Sequence, residues 1–320
     1  MTKRAVVSEP RQHEKHERLI AATNAHAPLA TAIAHPCDES SLRGAMEAAK
    51  ARIITPILVG PEKRIRGLAM SLDLDLNGVD VVDAPHSQAA ADKAVELVRT
   101  GSAELLMKGS LHSDELLAAV TKRETGLRTG RRISHVFVMD VPNHPQTLFI
   151  TDAAVNIAPD LMAKRDIVQN AIDLYAGLGL GTPKVAILSA VETINPGIPS
   201  TIDAAALCKM ADRGQITGAE LDGPLAFDNA ISPEAARIKG IESPVAGRAQ
   251  ILVVPDLEAG NMLAKNLTFL SRADAAGVVL GARVPIILTS RADNLQARMA
   301  SCAVAMLLAH NRRSKEPIRA

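Results

Sequence analysis

The sequence predicts an α/β protein with mainly parallel sheets, and three observations predict it. Apolar runs of strand length recur along the chain, among them residues 54–60 (ITPILVG), 184–191 (KVAILSAV) and 250–254. Runs that are apolar at nearly every position suit strands buried on both faces. Between them lie segments with apolar residues at helical spacing, and such alternation argues for sheets covered by helices on both sides. Third, 320 residues are enough for two medium domains or one large α/β body with a cleft.

The elements follow in order. Residues 1–25 read as a polar leader with a short charged helix over 11–22. Residues 29–35 are apolar and stop at Pro36. Residues 40–52 form a helix with Leu42, Ala45, Met46 and Ala49 on one face. Residues 54–60 are a buried strand and 79–82 a shorter one. Residues 87–98 read as a helix and 104–107 as a strand ending at Lys108-Gly109, with Ser113 as the cap of the next helix. Residues 136–141 and 148–154 are strand-like, 160–178 an amphipathic helix and 184–191 a strand. Residues 200–211 are a helix, and 215–221 a strand running into Asp222-Gly223-Pro224. Residues 250–254 are a strand, 259–270 a helix, and 276–280 and 284–288 strands. A closing helix over 292–308 carries Leu295, Met299, Cys302, Ala303 and Met306 on one side. The best domain boundary lies near residues 145–150. The closing helix is expected to cross back, so the domains are expected at 1–148 plus 299–320 and at 149–298.

Composition removes several function classes. Net charge is +1, so no global field recruits nucleic acid or an anionic membrane. With one Tyr, four Phe and no Trp, stacking platforms for single strands are missing. Cys37, Cys208 and Cys302 are far apart, without CxxC spacing, and indicate neither a disulfide framework nor a zinc knuckle. No run approaches the roughly 20 apolar residues of a membrane span. Residues 1–19 lack the apolar core of a signal peptide. A cytoplasmic protein is expected, with no nucleic-acid or membrane partner.

In open α/β sheets ligands sit beyond the carboxyl ends of strands, so the residues following each strand are the candidates. Thr289-Ser290-Arg291-Ala292-Asp293 joins a hydroxyl, a guanidinium and a helix start. The Arg fork suits phosphate, and helix N–H groups add positive charge; helix capping alone also accounts for Ser, Thr and Asp there. Asp256 and Asn261 follow residues 250–254, where Asp256 points into a crevice or caps a helix. Asp222 and Asp228 are a carboxylate pair for acid–base work, or a turn and a cap. Lys108 and His112 stand beside a helix start and could hold an anion, or be ordinary surface. Glu192-Thr193-Ile194-Asn195 is polar at a strand end and otherwise unremarkable. Gly177-Leu178-Gly179-Leu180-Gly181 ends a helix, the reverse of a dinucleotide loop. Neither GxxxxGK[ST] nor GxSxG occurs. No metal-ligand spacing such as HExxH is present, so no metal is expected.

Together these segments resemble the phosphate acetyl/butyryltransferase family. VVPDLEAGNMLAKNLTFL followed by GVVLGARVPIILTSRAD is very like its C-terminal signature. LDGPLAFDNAIS resembles its middle motif, and LLMKGSLHSDELLAAVTKRETGLRTGRRISHVFVMDVP its first-half segment, especially in butyryl-type members. The likeness runs from about Ala34 to His310, in the family's order. It extends to the acyltransferase part of proteins that carry an enoyl-CoA hydratase domain in front. The resemblance implies two α/β domains with a cleft between them, of isocitrate/isopropylmalate dehydrogenase type, usually as a homodimer. It implies acyl-CoA + phosphate = acyl phosphate + CoA, acetyl or butyryl, with acyl-CoA as substrate and no permanently bound cofactor. Its Ser-Arg pair corresponds to Ser290 and Arg291, with Ser290 on the thiolate or acyl oxygen and Arg291 on the phosphoryl group. Lys108, His112, Arg128, Asp228, Asp256, Asn261 and Lys265 are the candidate substrate and CoA contacts, with Arg131 a further source of charge. Acetyl-type members place an Asp seven residues after the Ser; here that position is Ala297, and Asp293 or Asp256 is the candidate near the thiol. Two rivals are a metal- and NAD(P)-dependent decarboxylating dehydrogenase of similar fold, which would draw on Asp222, Asp228 and Asp256, and a non-catalytic CoA-binding protein.

Overall fold

The computed structural model describes residues 14–290 and 293–314. Helix α1 (Glu14–Ala22) and a short 3-10 turn (Thr23–Ala25) lead into β1 (Leu29–Ala34), α2 (Glu39–Lys50), β2 (Ile54–Gly60), α3 (Glu62–Ser71) and β3 (Asp80–Asp83). Next come α4 (Ser87–Arg99), β4 (Leu105–Lys108), α5 (Ser113–Thr121), β5 (Ser134–Asp140), β6 (Leu148–Thr151) and α6 (Leu161–Gly177). Then follow β7 (Lys184–Leu188), α7 (Pro199–Asp212), β8 (Glu220–Leu225), α8 (Phe227–Ile231), α9 (Pro233–Ile238) and β9 (Ile251–Val253). The last elements are α10 (Leu257–Leu270), β10 (Asp274–Leu280), β11 (Ile286–Ile287) and α11 (Leu295–Ser314).

All eleven strands form one sheet in the order β3-β2-β1-β4-β11-β10-β5-β6-β9-β7-β8. Strands β3 to β11 on one side are mutually parallel, as are β6, β9, β7 and β8 on the other. Between them β10 runs antiparallel to both β11 and β5, and β5 antiparallel to β6. The two parallel wings therefore point in opposite directions, and their carboxyl ends lie on opposite edges.

One face of the sheet carries a continuous apolar core running under α1, α2, α6, α7 and α11. The other face carries two separate cores. One lies under α4 and α5, with Ala90, Ala94 and Leu116; the other lies under α8, α9 and α10, with Ala230, Ala236 and Ala264. Helix α11 packs against α1, α2 and α6 as well as β10. Helix α1 is tied to the end of β5, where Lys15 Nζ donates to Asp140 Oδ1 at 2.8 Å. No helix among the described residues is long and apolar enough to cross a membrane.

The sequence reading placed most elements within a few residues. The strand expected at 215–221 is instead Glu220–Leu225, because Gly214 and Gly218 take φ of +71° and +85° and break an extended run. Gly223 lies inside that strand, since a Cβ there would sit 2.7 Å from the Ile187 carbonyl oxygen. Pro224 is tolerated because β8 is an edge strand. Ser113 does not cap α5; His112 is the cap residue, and its N–H donates to Glu115 Oε2 at 2.9 Å. Helix α3 was not foreseen because only Ile65 and Ala69 are buried in it. Residues 11–13, 291 and 292, which open two expected helices, lie outside the described residues.

Candidate active site

Strand β11 delivers Leu288-Thr289-Ser290 to the edge where β1 and β4 also end, beside the start of β10. The chain then turns tightly. The Ser290 N–H donates to Asp293 Oδ2 at 2.6 Å, and the Asp293 N–H to the Ser290 carbonyl at 3.2 Å. Asn294 starts α11, its Oδ1 accepting from the Ala297 N–H at 2.8 Å while its Nδ2 donates to Asp274 Oδ1 at 2.9 Å.

Arg298, only 3% exposed, holds this turn from behind. Its guanidinium donates to the Ser290 carbonyl at 2.6 Å, Thr289 Oγ1 at 3.0 Å and Ser40 Oγ at 3.2 Å. Its stem passes α2 at Gly44, where a Cβ would lie 3.0 Å from Arg298 Cδ. A planar fork with five fixed donors suits this role; an ammonium does not supply the same geometry.

A cavity of about 150 Å³ lies between α10, β10, β5 and this turn. Asn261, Lys265, Asp274, Ser290, Asp293 and Asn294 line it, with Phe137, Ala264, Ala275 and Ala297 as apolar walls. Asn261 and Lys265 are four apart on α10 and so share a face. Lys108, 5% exposed at the end of β4, adds positive charge near Asp293. Burial pushes the Asp293 carboxyl above the usual carboxylate range, against the pull of the Ser290 N–H, Arg298, Lys108 and Lys265. Behind Phe137 sits His135, fully buried, whose imidazole is held neutral because burial lowers its pKa to about 3.

Ser290, Asp293, Asn261 and Lys265, named from the sequence, thus meet at one cavity, with Lys108 close by. Arg291 lies outside the described residues. His112 is exposed at the start of α5. Asp256 caps α10, its carboxylate accepting from the Ala259 N–H at 2.8 Å, at the end where β9 leaves the sheet. Asp228 is half exposed and pairs with Lys239 at 3.4 Å, in a surface group with Glu192. Arg128 bridges Ala282, beyond the far end of β10, and a seven-residue strand spans roughly 20 Å. There it lines a second cavity of about 680 Å³ with Arg131, Arg132 and Arg165. Asp222 lies within β8, its carboxylate accepting from the Gly223 N–H. Among the described residues no group of three or more His, Cys, Asp or Glu is placed to hold a metal ion.

Sequence reasoning missed Arg298, Asp274, Asn294 and Phe137. Arg298 had a signal: it falls between Leu295 and Cys302, on the apolar side of the closing helix. A charge at a core position requires partners. Asp274 and Phe137 carried none, since only strand pairing brings them to Ser290.

Comparison with known proteins follows the same segments. The model of the family described as phosphate acetyl/butaryl transferase matches residues 86–306. A phosphate acetyltransferase of Rhizobium meliloti is 70% identical over 307 residues, covering 96% of this chain and 97% of that protein. A phosphate butyryltransferase of Clostridium acetobutylicum is 44% identical over 281 residues, covering 88% of this chain and 93% of that one. The crystal structure of a branched-chain phosphotransacylase from Enterococcus faecalis superposes with a TM-score of 0.77 at 33% identity, covering 88% of this chain and 99% of that one.

Proposed function

The chain belongs to the phosphate acetyl/butyryltransferase family, and from that premise we propose that the cavity beside Ser290 is where it exchanges an acyl group between coenzyme A and inorganic phosphate. In the direction of acyl phosphate formation, a phosphate oxygen attacks the thioester carbonyl carbon. The C–S bond then breaks, and the departing thiolate takes up a proton. The reverse needs a positioned thiol, a neutralised phosphate and donors for the developing oxyanion. None of these steps requires a covalent enzyme intermediate.

The observation that carries the assignment is the convergence of Ser290, Asp293, Asn261 and Lys265 on one cavity. Arg291 binds the phosphoryl group. Ser290 hydrogen-bonds the reacting centre. Asp293, in place of the carboxylate that acetyl-type members carry at the position of Ala297, exchanges the proton with sulfur. Lys265 and Lys108 supply further positive charge. Positioning of this kind contributes up to about 7–11 kcal/mol, and an oriented oxyanion donor about 3–4 more. Acetyl-CoA is the expected first substrate, in keeping with the relative at 70% identity, and butyryl-CoA is admitted as well.

The finer structural reading is two domains, 1–148 plus 299–320 and 149–298, of isocitrate/isopropylmalate dehydrogenase type. The two separate cores on one sheet face support it. A cytoplasmic homodimer without a permanent cofactor completes the proposal. The decarboxylating-dehydrogenase reading has no support: the relatives are acyltransferases, and Asp222, Asp228 and Asp256 are engaged separately.

The test is phosphate-dependent release of free CoA thiol from acetyl-CoA and butyryl-CoA. Turnover that requires phosphate is expected with both, and its absence with both would end the acyltransferase reading. The pH profile tests Asp293. In the direction of acyl-CoA formation, with acyl phosphate and CoA as substrates, Asp293 takes the thiol proton and its carboxylate is the active form; its pKa is raised, so that rate is expected to fall as pH drops through a value above the usual 3.8. Asp293→Asn is expected to remove that acid limb and to lower kcat by roughly 100-fold or more. A variant keeping both the wild-type rate and the limb would take the proton-transfer role from Asp293.

A further inference from the structure

Half the lining of the cavity beside Ser290 is apolar, and neither phosphate nor a thiol proton needs such a surface. Phe137 comes from β5, Ala264 from α10, Ala275 from β10 and Ala297 from α11. We propose that this apolar lobe is the acyl-chain pocket, and that Phe137 and Ala275 set the chain length it admits. The proposal rests on the acyltransferase reading above and deepens it.

Size is the first argument. A dry apolar cavity of about 150 Å³ holds a benzene-sized molecule, and the cavity here has about that volume. A two- to four-carbon acyl group fits within it. Placement is the second. Ser290 and Asp293 line the same cavity, so a thioester carbonyl at Ser290 lays its alkyl chain against the alanines. Three of those walls are alanine, on three different elements. A larger side chain at Ala275 would take up the volume directly.

Rigidity is the third argument. A pocket that selects by length needs a floor that does not yield. The Phe137 ring is met edge-on by His135, with centroids 4.3 Å apart and planes at 76°. Phe137 stands opposite Gly277 in β10. Gly277 cannot be enlarged, because a Cβ there would lie 2.5 Å from the Leu288 carbonyl oxygen and 3.0 Å from His135 Nε2. Strands β5 and β10 are paired along seven residues at this point, so the floor belongs to the centre of the sheet.

The experiment measures kcat/KM for acetyl-, butyryl- and hexanoyl-CoA with the full chain, with Ala275→Val and with Phe137→Leu. One methylene in an apolar pocket is worth about 10- to 200-fold in discrimination. Ala275→Val is expected to lower the butyryl-to-acetyl ratio by about tenfold or more. Phe137→Leu is expected to raise the hexanoyl-to-butyryl ratio. A general loosening of the protein would depress all three substrates together and leave the ratios alone. If one variant does not fold, the other decides. Folded, active variants with wild-type ratios would overturn the pocket while leaving the acyltransferase reading intact. A wild-type protein without phosphate-dependent turnover on any acyl-CoA would remove that reading, and this pocket with it.

Discussion

Arg291→Ala is expected to cut phosphate-dependent CoA release by roughly 100- to 1,000-fold, the loss typical of removing one oriented charge-stabilising donor. The phosphoryl group is the only multiply charged part of the reacting centre, and a guanidinium meets it with two parallel hydrogen bonds. That charge is present in free phosphate and redistributes in the transition state, so the variant is expected both to raise the phosphate KM and to lower kcat. Arg291→Lys keeps the charge and loses the fork, and an intermediate rate is expected of it. The acyl-CoA KM should move little, because the guanidinium is assigned to the other substrate. Steady-state kinetics with each substrate varied in turn separate these effects. Unchanged kinetics would remove Arg291 from the reaction.

The second large effect is expected at Arg298, a positioning residue behind the turn and not a substrate contact. It is 3% exposed and donates to the Ser290 carbonyl, Thr289 Oγ1 and Ser40 Oγ. Removing it takes a donor from the buried Thr289 hydroxyl and from the partly buried Ser290 carbonyl and Ser40 hydroxyl, at about 1–3 kcal/mol for a fully buried group and less for the other two. Arg298→Ala is therefore expected to lose about 3 kcal/mol of stability in all, read as an earlier midpoint in urea. It also frees the turn that carries Ser290 and Asp293. A displacement of about 1 Å there is worth on the order of 100-fold in rate. Arg298→Lys should recover part of the stability but little of the rate, since one ammonium cannot span three acceptors on α2 and the 289–290 turn. A variant with wild-type stability and rate would show that the turn holds itself.

Much of the site was legible because its residues are close in sequence or share a helix face. Ser290, Arg291 and Asp293 form one short segment, and Asn261 and Lys265 lie one turn apart on α10. Arg128 was suggested only by the family resemblance; Asp228 and Asp256 were equally plausible by the rule that ligands sit beyond strand ends, and each does follow a strand. They stand away from the Ser290 turn because the two wings of the sheet point in opposite directions. That reversal lies in β5 and β10, whose burial patterns are those of strands covered on both faces. Such a strand carries the same apolar run whether its neighbours are parallel or antiparallel, so its direction is not written in its pattern.

Two small misplacements have the same kind of cause. The strand expected at 215–221 was drawn by its apolar residues, while Gly214 and Gly218 take left-handed backbone that ends any extended run. Ser113 was a sound cap by residue type. The boundary fell one residue earlier because Glu115 reaches back to the His112 N–H.

The sequence by itself determined the succession of strands and helices, the family, and which polar residues stand together in the 289–293 and 256–265 segments. These are short-range properties, set by periodicity, capping and the order of motifs along the chain. Tertiary structure alone decided that eleven strands share one sheet, that Asp274, Phe137 and Lys108 join Ser290, and that Arg298 holds the turn. Those depend on strand order and direction, which arise from pairings as close as the β10–β11 hairpin and as distant as β4 with β11 and β5 with β10, more than a hundred positions apart.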